Sequence, residues 1–178
     1  MTARRSILFG STAALAAAAG GGLGWWHATD ADAATAQDLP PQFWSQRFAR
    51  PEGGEVALAD FRRQPLLINF WATWCPPCVR ELPAIDRLAR EQAASGLKVL
   101  ALAIDGPTPV REFLQRTPLK VPVGLAGMDG IELTRQLGNT KGGLPFTVLV
   151  SADGRVTHRK VGETSLEELN GWLKPSKR

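Results

Sequence analysis

The chain has 178 residues and a formal net charge of +4, with six tryptophans, no tyrosine and two cysteines. This length allows one domain with a sizeable hydrophobic core after an N-terminal segment is set aside. The basic residues are scattered and do not alternate with aromatic residues, which excludes the basic stripe that nucleic-acid binding requires.

Residues 1–27 have the pattern of a signal peptide or a membrane anchor. Arg4 and Arg5 precede residues 7–24, which are uncharged and rich in Ala and Gly, and the Arg pair also resembles a twin-arginine signal. A helix over this stretch would span about 27 Å, close to the ~30 Å hydrocarbon core of a bilayer. Cleavage of this segment as a signal peptide and its retention as an anchor are both compatible with the sequence. Either one predicts a periplasmic or other extracytoplasmic domain, because the Arg pair holds the short N-terminal end inside.

The rest of the chain reads as a tether followed by one α/β domain. Residues 28–42, rich in Ala, Thr, Asp, Gln and Pro, predict a flexible tether, and the folded domain is expected over 43–178. Residues 43–58 contain short alternating pieces broken by a Pro-Glu-Gly-Gly sequence, which indicates an N-terminal β-hairpin. Further strands are predicted at 66–71, 97–104, 121–125, 146–150 and 155–161, and helices from the cysteine motif to about 94 and at 109–116, 131–137 and 165–173.

This alternation predicts parallel central strands joined by helical crossovers, with an antiparallel hairpin near the end of the chain. The expected architecture is a mixed central β-sheet flanked by helices on both faces. Such sheets place their sites beyond the carboxyl ends of the central strands. Cys75 follows the strand 66–71 at that end.

Cys75 and Cys78 form a C-x-x-C motif at the head of the helix that follows this strand. A helix N-terminus stabilises a thiolate through its dipole and its free N–H groups, so the motif predicts a reversible dithiol–disulfide pair. Cys75, at the exposed head of the helix, should attack, and Cys78, one turn further in, should resolve the mixed disulfide. Trp74 is either a hydrophobic shield and substrate platform beside the sulfur or a core aromatic residue.

Other uses of the cysteine pair fit the sequence less well than redox exchange. A zinc site needs two more Cys or His ligands, and the chain offers only His27 in the leader and His158 on a late strand. A structural disulfide would close a ring too small to constrain the unfolded chain much. A non-enzymatic Cu(I) chaperone is chemically possible, because soft thiolate ligands select Cu(I). We favour redox exchange, with no metal site and no cofactor.

The residues between the sulfurs favour a reductase over an oxidant. Pro76 and Pro77 have no N–H, which leaves few backbone donors for a Cys75 thiolate. Glu81 would also oppose a negative sulfur. A poorly stabilised thiolate makes the pair a better reductant.

The sequence FWATWCPPC at 70–78, followed by Glu81-Leu82-Pro83, resembles the active-site signature of thioredoxin-like thiol–disulfide oxidoreductases of the TlpA/ResA/DsbE type. The likeness covers about residues 40–174 and includes the Gly-Leu-Pro turn at 143–145. The resemblance implies a thioredoxin-like fold with a central insert near 107–137. It also implies an exported enzyme that is often tethered to a membrane.

The resemblance assigns roles to further positions. Pro145 matches the family's cis-proline, which would aim the Leu144 backbone at a bound peptide. Glu81 matches the family's acidic residue and would manage the proton of the Cys78 thiol, although an exposed first-turn glutamate also fits the sequence. Asn69 stands where thioredoxins proper carry a buried Asp. Since Asn69 cannot titrate, a proton relay would fall to Glu81 or to water.

Taken together, these features predict an exported thiol–disulfide reductase. Its partners would be disulfide-bearing proteins and a membrane electron-donor thiol protein, with apocytochrome c, a copper-site assembly protein and misoxidised proteins as candidate substrates. The main rival is an oxidase or isomerase of the same fold, and a Cu(I) chaperone is the second.

Overall fold

The computed structural model describes residues 37–174, and an eight-stranded mixed β-sheet runs through them. The strands are β1 (Gln37–Asp38), β2 (Arg47–Ala49), β3 (Glu55–Ala57), β4 (Leu66–Trp71), β5 (Lys98–Ala103), β6 (Val123–Leu125), β7 (Phe146–Val150) and β8 (Arg155–Val161). The helices are α1 (Pro41–Trp44), α2 (Pro76–Glu91), α3 (Pro107–Arg116), α4 (Gly130–Gln136) and α5 (Leu166–Trp172). In that part of the chain, no helix combines the length and the apolar character needed to cross a membrane.

The strand order is β1-β8-β7-β4-β5-β6-β2-β3. β4 pairs in parallel with β5, which pairs in parallel with β6, whereas β7 and β8 are antiparallel. β2 and β3 form the predicted N-terminal hairpin. The mixed α/β sheet predicted from the sequence is therefore confirmed.

β4 lies inside the sheet and is buried on both faces, which explains its continuous apolar sequence. Alternate side chains of a strand point to opposite faces. Leu66, Ile68 and Phe70 belong to the core that includes α1 and α4 residues, whereas Leu67 and Trp71 belong to the core that includes α2, α3 and α5 residues. Helices on both faces thus complete two cores.

The start of the domain differs from its predicted position. Residues 37–42, which we assigned to the flexible tether, are ordered: the first two form β1 against β8, and the N–H of Leu39 donates to the carbonyl of Gly154 at 3.0 Å. An outer strand such as β8 presents unpaired backbone groups, and this segment satisfies them. The remaining tether residues, 28–36, and the signal-or-anchor segment, 1–27, lie outside the described residues.

The outer helices begin close to their predicted positions. α3 begins at Pro107 rather than at Pro109. Both prolines fit within the first turn, because the first N–H groups of a helix have no intrahelical partner. α5 is capped by Ser165, whose hydroxyl accepts a hydrogen bond from the N–H of Glu168 at 3.2 Å. The carboxylate of Glu168 bonds Lys160 instead of turning back, so only half of the predicted capping box forms.

Asp86 connects α2 to the segment before β6. Its Oδ1 accepts from the backbone N–H groups of Lys120 (2.6 Å) and Val121 (3.1 Å). We expect Asp86→Ala to lower the free energy of unfolding by about 2–4 kcal/mol, because two N–H groups, one of them buried, would lose their acceptor. Urea denaturation measures this change. Arg90→Ala is the matched control: it removes only the half-exposed partner of Asp86 and should cost less than about 1 kcal/mol. Equal losses in the two variants would contradict this account.

Candidate active site

The two cysteines lie at the N-terminus of α2, directly beyond the carboxyl end of β4. They form a disulfide with the Cα atoms 5.3 Å apart. Cys75 is the N-cap residue, and Pro76 and Pro77 occupy the first two helical positions. The carbonyl of Cys75 accepts from the N–H of Val79 at 3.1 Å, which closes the first turn of the helix. The strand, the tight turn and the helix together fix the position of both sulfurs.

The exposure of Cys75 differs from the prediction. Cys75 was expected at an exposed helix head, yet it is only 5% accessible, while Cys78 is 0% accessible. The reason is that Cys75 packs into the α2-side core together with Trp71 and Ala72. The order of accessibility still agrees with the predicted roles, since a partner reaches Cys75 more readily than Cys78.

Trp74 precedes the pair and is 64% exposed, which excludes a core position for its ring. The loop that carries it is held by Asp105, just past β5. Asp105 Oδ2 accepts from the N–H (3.0 Å) and the hydroxyl (2.5 Å) of Thr73, and its Oδ1 accepts from the N–H of Gly106 at 2.7 Å. The sequence analysis gave Asp105 no role. Its position after the strand parallel to β4 was the available signal for its bonding role.

The loop before β7 contains the predicted cis-proline. The Leu144–Pro145 bond is cis, and the carbonyl of Pro145 accepts from the N–H of Gly162 at 2.8 Å. Leu144 is half-buried and packs against both cores. The buried Asn139, which the sequence analysis missed, donates from Nδ2 to the carbonyl of Gly143 at 2.8 Å. The residue carries no motif that would have revealed this contact.

Glu81 is 1% exposed, which excludes the alternative of a solvent-exposed first-turn glutamate. Its Oε1 accepts from Asn69 Nδ2 at 2.5 Å, and its Oε2 accepts from the N–H (2.7 Å) and the hydroxyl (2.9 Å) of Thr164. Asn69 Nδ2 also donates to the hydroxyl of Thr147 at 3.0 Å. A buried polar cluster therefore lies on the α2 side of β4, where the alternation of the strand points Asn69.

Burial raises the pKa of Glu81 above the ordinary value of 4.5, because desolvation penalises the charged carboxylate. The hydrogen bonds from Thr164 and Asn69 act in the opposite direction and only partly offset the burial, and the negative charge of Glu163 adds to the rise. Asn69 Oδ1 is buried, and no partner bonds it among residues 37–174. Glu81 is thus a buried acid three residues after Cys78 on the same helix, with a raised tendency to hold a proton.

Comparisons with known proteins agree with this geometry. Residues 36–173 match the family described as Redoxin. The thiol–disulfide oxidoreductase ResA of Bacillus thuringiensis (strain Al Hakam) is 33% identical over 124 residues, 69% of each chain. ResA of Geobacillus thermodenitrificans is 32% identical over 127 residues, 71% of each chain.

Solved structures share the fold at lower identity. A thioredoxin family thiol:disulfide interchange protein from Chlorobium tepidum superposes with a TM-score of 0.67 at 24% identity, covering 79% of this chain and 97% of that one. StoA from Bacillus subtilis gives a TM-score of 0.60 at 22% identity, covering 72% and 96%. The chain belongs to the Redoxin family and is a thioredoxin-like thiol–disulfide oxidoreductase of the TlpA/ResA/DsbE type.

Proposed function

We propose that this oxidoreductase is an exported reductase of protein disulfides. The Cys75 thiolate attacks one sulfur of a substrate disulfide, that S–S bond breaks, and the second substrate sulfur leaves as a thiolate. Cys78 then loses its proton and attacks the Cys75 sulfur, which releases the first substrate thiolate. Two electrons have passed to the substrate, and the protein holds the Cys75–Cys78 disulfide until a membrane dithiol donor reduces it.

The observation that carries the direction of transfer is the pair of prolines at the start of α2. A helix normally offers several free N–H groups at its N-terminus. Here Pro76 and Pro77 have none, and the N–H of Cys75 already donates to the carbonyl of Ala72 at 3.2 Å. The N–H of Cys78 is then the one remaining amide of the first turn. Since few donors stabilise a thiolate, the dithiol form is less stable relative to the disulfide, and the reduction potential is low.

The buried Glu81 supports proton handling during the second step. Cys78 is fully buried, so its thiol does not pass its proton directly to bulk water. Glu81 shares the helix face of Cys78. Its pKa is raised toward neutral pH, which suits a group that accepts and then releases a proton. We assign Glu81 as the proton acceptor for Cys78.

Export is supported by two independent features. The basic and apolar segments of residues 1–27 have the order of an export signal. The related solved structures include a secreted disulfide oxidoreductase of Mycobacterium tuberculosis and a secreted thiol–disulfide isomerase of Corynebacterium glutamicum. We therefore place the domain outside the cytoplasm, in the periplasm or an equivalent compartment, where unwanted disulfides form.

The reduction potential tests the direction of transfer. We expect a value below about −180 mV, the range of protein disulfide isomerase, when the protein is equilibrated with glutathione buffers. Pro77→Ala should raise it by about 20–30 mV, because one added N–H donor would stabilise the dithiol form by roughly 1 kcal/mol. Pro83→Ala, further along α2, is the matched control and should leave the potential unchanged. A wild-type potential above about −180 mV would favour the oxidase or isomerase instead.

A further inference from the structure

An apolar cleft lies beside the active-site loop, on the side of Trp74. It has a volume of about 370 Å³ and is lined by Trp74, by residues 104–107 after β5, and by residues 125–128 between β6 and α4. This volume is near the lower end of ligand pockets, about 300–1,000 Å³, and suits one or two side chains rather than a folded element. Trp74, which lines the cleft, directly precedes Cys75 in the chain, so the cleft lies near the sulfur that a substrate disulfide must reach.

The lining of the cleft favours an uncharged occupant. Among the described residues that line it, Asp105 is the one with a charged side chain. Both of its carboxylate oxygens already accept hydrogen bonds from Thr73 and Gly106. The remaining side chains of the lining are apolar. An apolar group would therefore gain from burial in the cleft, whereas a negatively charged occupant would face the Asp105 carboxylate with no cationic side chain in the lining.

The turn that forms the far wall is fixed to the sheet. The N–H groups of Ala126 (2.9 Å) and Gly127 (3.1 Å) both donate to the carbonyl of Ala103 at the end of β5. Gly127 has φ +57°, a conformation that favours glycine, and it leads directly into Met128. Met128 is consequently presented from a backbone that needs no ordering when a partner binds, which reduces the entropic cost of binding.

The cleft also gathers exposed apolar side chains. Within residues 37–174, three large hydrophobic side chains are exposed: Trp74 (64%), Met128 (70%) and Val161 (51%). Single exposed hydrophobic residues are common on soluble proteins, but adjacent ones mark binding sites. Trp74 and Met128 line the same cleft, and Trp74 directly precedes the reactive Cys75 in the chain. An aromatic ring suits both, because it can stack on an indole and contact the polarizable sulfur of methionine.

We propose that this cleft binds an aromatic side chain beside the disulfide cysteine of a substrate polypeptide, with Met128 as the specificity-determining residue. The proposal rests on the proposed reductase function and names the substrates that it prefers. Binding of the aromatic side chain holds the substrate sulfur near Cys75, so the preference appears in the rate of the first exchange step. The exchange chemistry itself is the reaction described above.

The test uses two synthetic peptide disulfides that differ only at the residue before cysteine, which is phenylalanine in one and alanine in the other. We expect the reduced protein to react with the phenylalanine peptide about tenfold faster, measured as the second-order rate constant under single-turnover conditions. Met128→Ala and Met128→Asp should lower this ratio to about twofold or less. Both variants should keep the wild-type reduction potential, which shows that the cysteine pair is intact.

Val161→Ala is the matched control, because Val161 is an exposed aliphatic residue outside the cleft. It should retain the full preference for the phenylalanine peptide. Equal rates with the two peptides in the wild-type protein, or an undiminished preference in both Met128 variants, would overturn the proposal and leave the reductase function standing. A reduced protein that reacts with neither peptide would instead refute the reductase function, and this inference with it.

Discussion

Replacing Cys78 with serine is expected to convert the protein into a trap that stays disulfide-linked to its substrates. Cys75 keeps its thiol in this variant and still attacks, but no second thiol is available to release the mixed disulfide. Turnover should fall by at least about a thousandfold, as for the loss of a covalent-catalysis residue. Non-reducing electrophoresis followed by mass spectrometry measures the linked species and identifies the captured proteins.

Cys75→Ser is the matched control, since it also leaves one thiol of the pair. It should lose turnover to the same extent but form few mixed disulfides, because Cys78 is fully buried and Cys75 retains a small accessible edge. Free-thiol quantification would confirm that both variants are reduced before the reaction. Efficient trapping by Cys75→Ser and none by Cys78→Ser would reverse the assigned order of attack.

The trap also separates the candidate substrates. The sequence leaves apocytochrome c, copper-site assembly proteins and misoxidised proteins open, and the relatives identify the activity without identifying the substrate. Proteins captured by Cys78→Ser in the oxidising compartment would assign one of these classes. If the apolar cleft beside Trp74 guides binding, the captured disulfides should have an aromatic residue next to the linked cysteine.

Much of the fold follows from local sequence. β7 and β8 have the predicted bounds because an apolar strand, an Asp-Gly turn and a second strand are defined by neighbouring residues alone. The ordered structure of residues 37–42, before the predicted start of the domain, was not predictable in this way. It depends on pairing with β8, more than a hundred residues later in the chain, and such long-range pairing leaves no local pattern.

The same contrast between local sequence patterns and long-range packing applies to the candidate active site. The cysteine pair, Pro145 and Glu81 were assigned as candidate site residues by motif and resemblance, because their spacing is readable in the chain. The near-complete burial of Cys75, and the contact of Asn139 with the loop before Pro145, depend on how separate elements pack. Whether Glu81 was exposed also stayed open in the sequence, since one turn of a helix carries both buried and exposed positions.

Glu81→Gln is expected to slow reduction of substrate disulfides by about a hundredfold at neutral pH, the usual contribution of a positioned acid–base group. Ionised Glu81 accepts the Cys78 proton, and glutamine cannot. Because burial raises the pKa of Glu81 above 4.5, the wild-type rate should rise with pH through that raised value. The variant should lack this limb of the pH–rate profile. Single-turnover kinetics measured across the pH range provides the comparison.

The pH dependence of the free energy of unfolding gives a second test of Glu81, and the direction of the change is fixed by the raised pKa. Since the pKa of Glu81 is raised in the folded protein, the folded state binds the proton more tightly, and this stabilisation is complete below about pH 4.5. It is lost as the pH rises through the raised pKa. The amide of glutamine would also place a donor against Asn69 Nδ2 or the N–H of Thr164, at a cost of about 1–3 kcal/mol. Wild type should therefore exceed the variant in stability most at low pH, with a narrowing gap as the pH rises.

Glu163→Gln is the matched control, because it makes the same change at the surface residue directly before Thr164, which bonds Glu81. Its ion pair with Arg80 is largely exposed and should contribute less than about 1 kcal/mol. The control should keep the rate at neutral pH and should retain the ascending limb of the profile, moved slightly to lower pH because the charge of Glu163 no longer adds to the raised pKa of Glu81. If Glu81→Gln also keeps both, or if its stability gap from wild type does not change with pH, then Glu81 supports the fold without serving as the proton acceptor for Cys78.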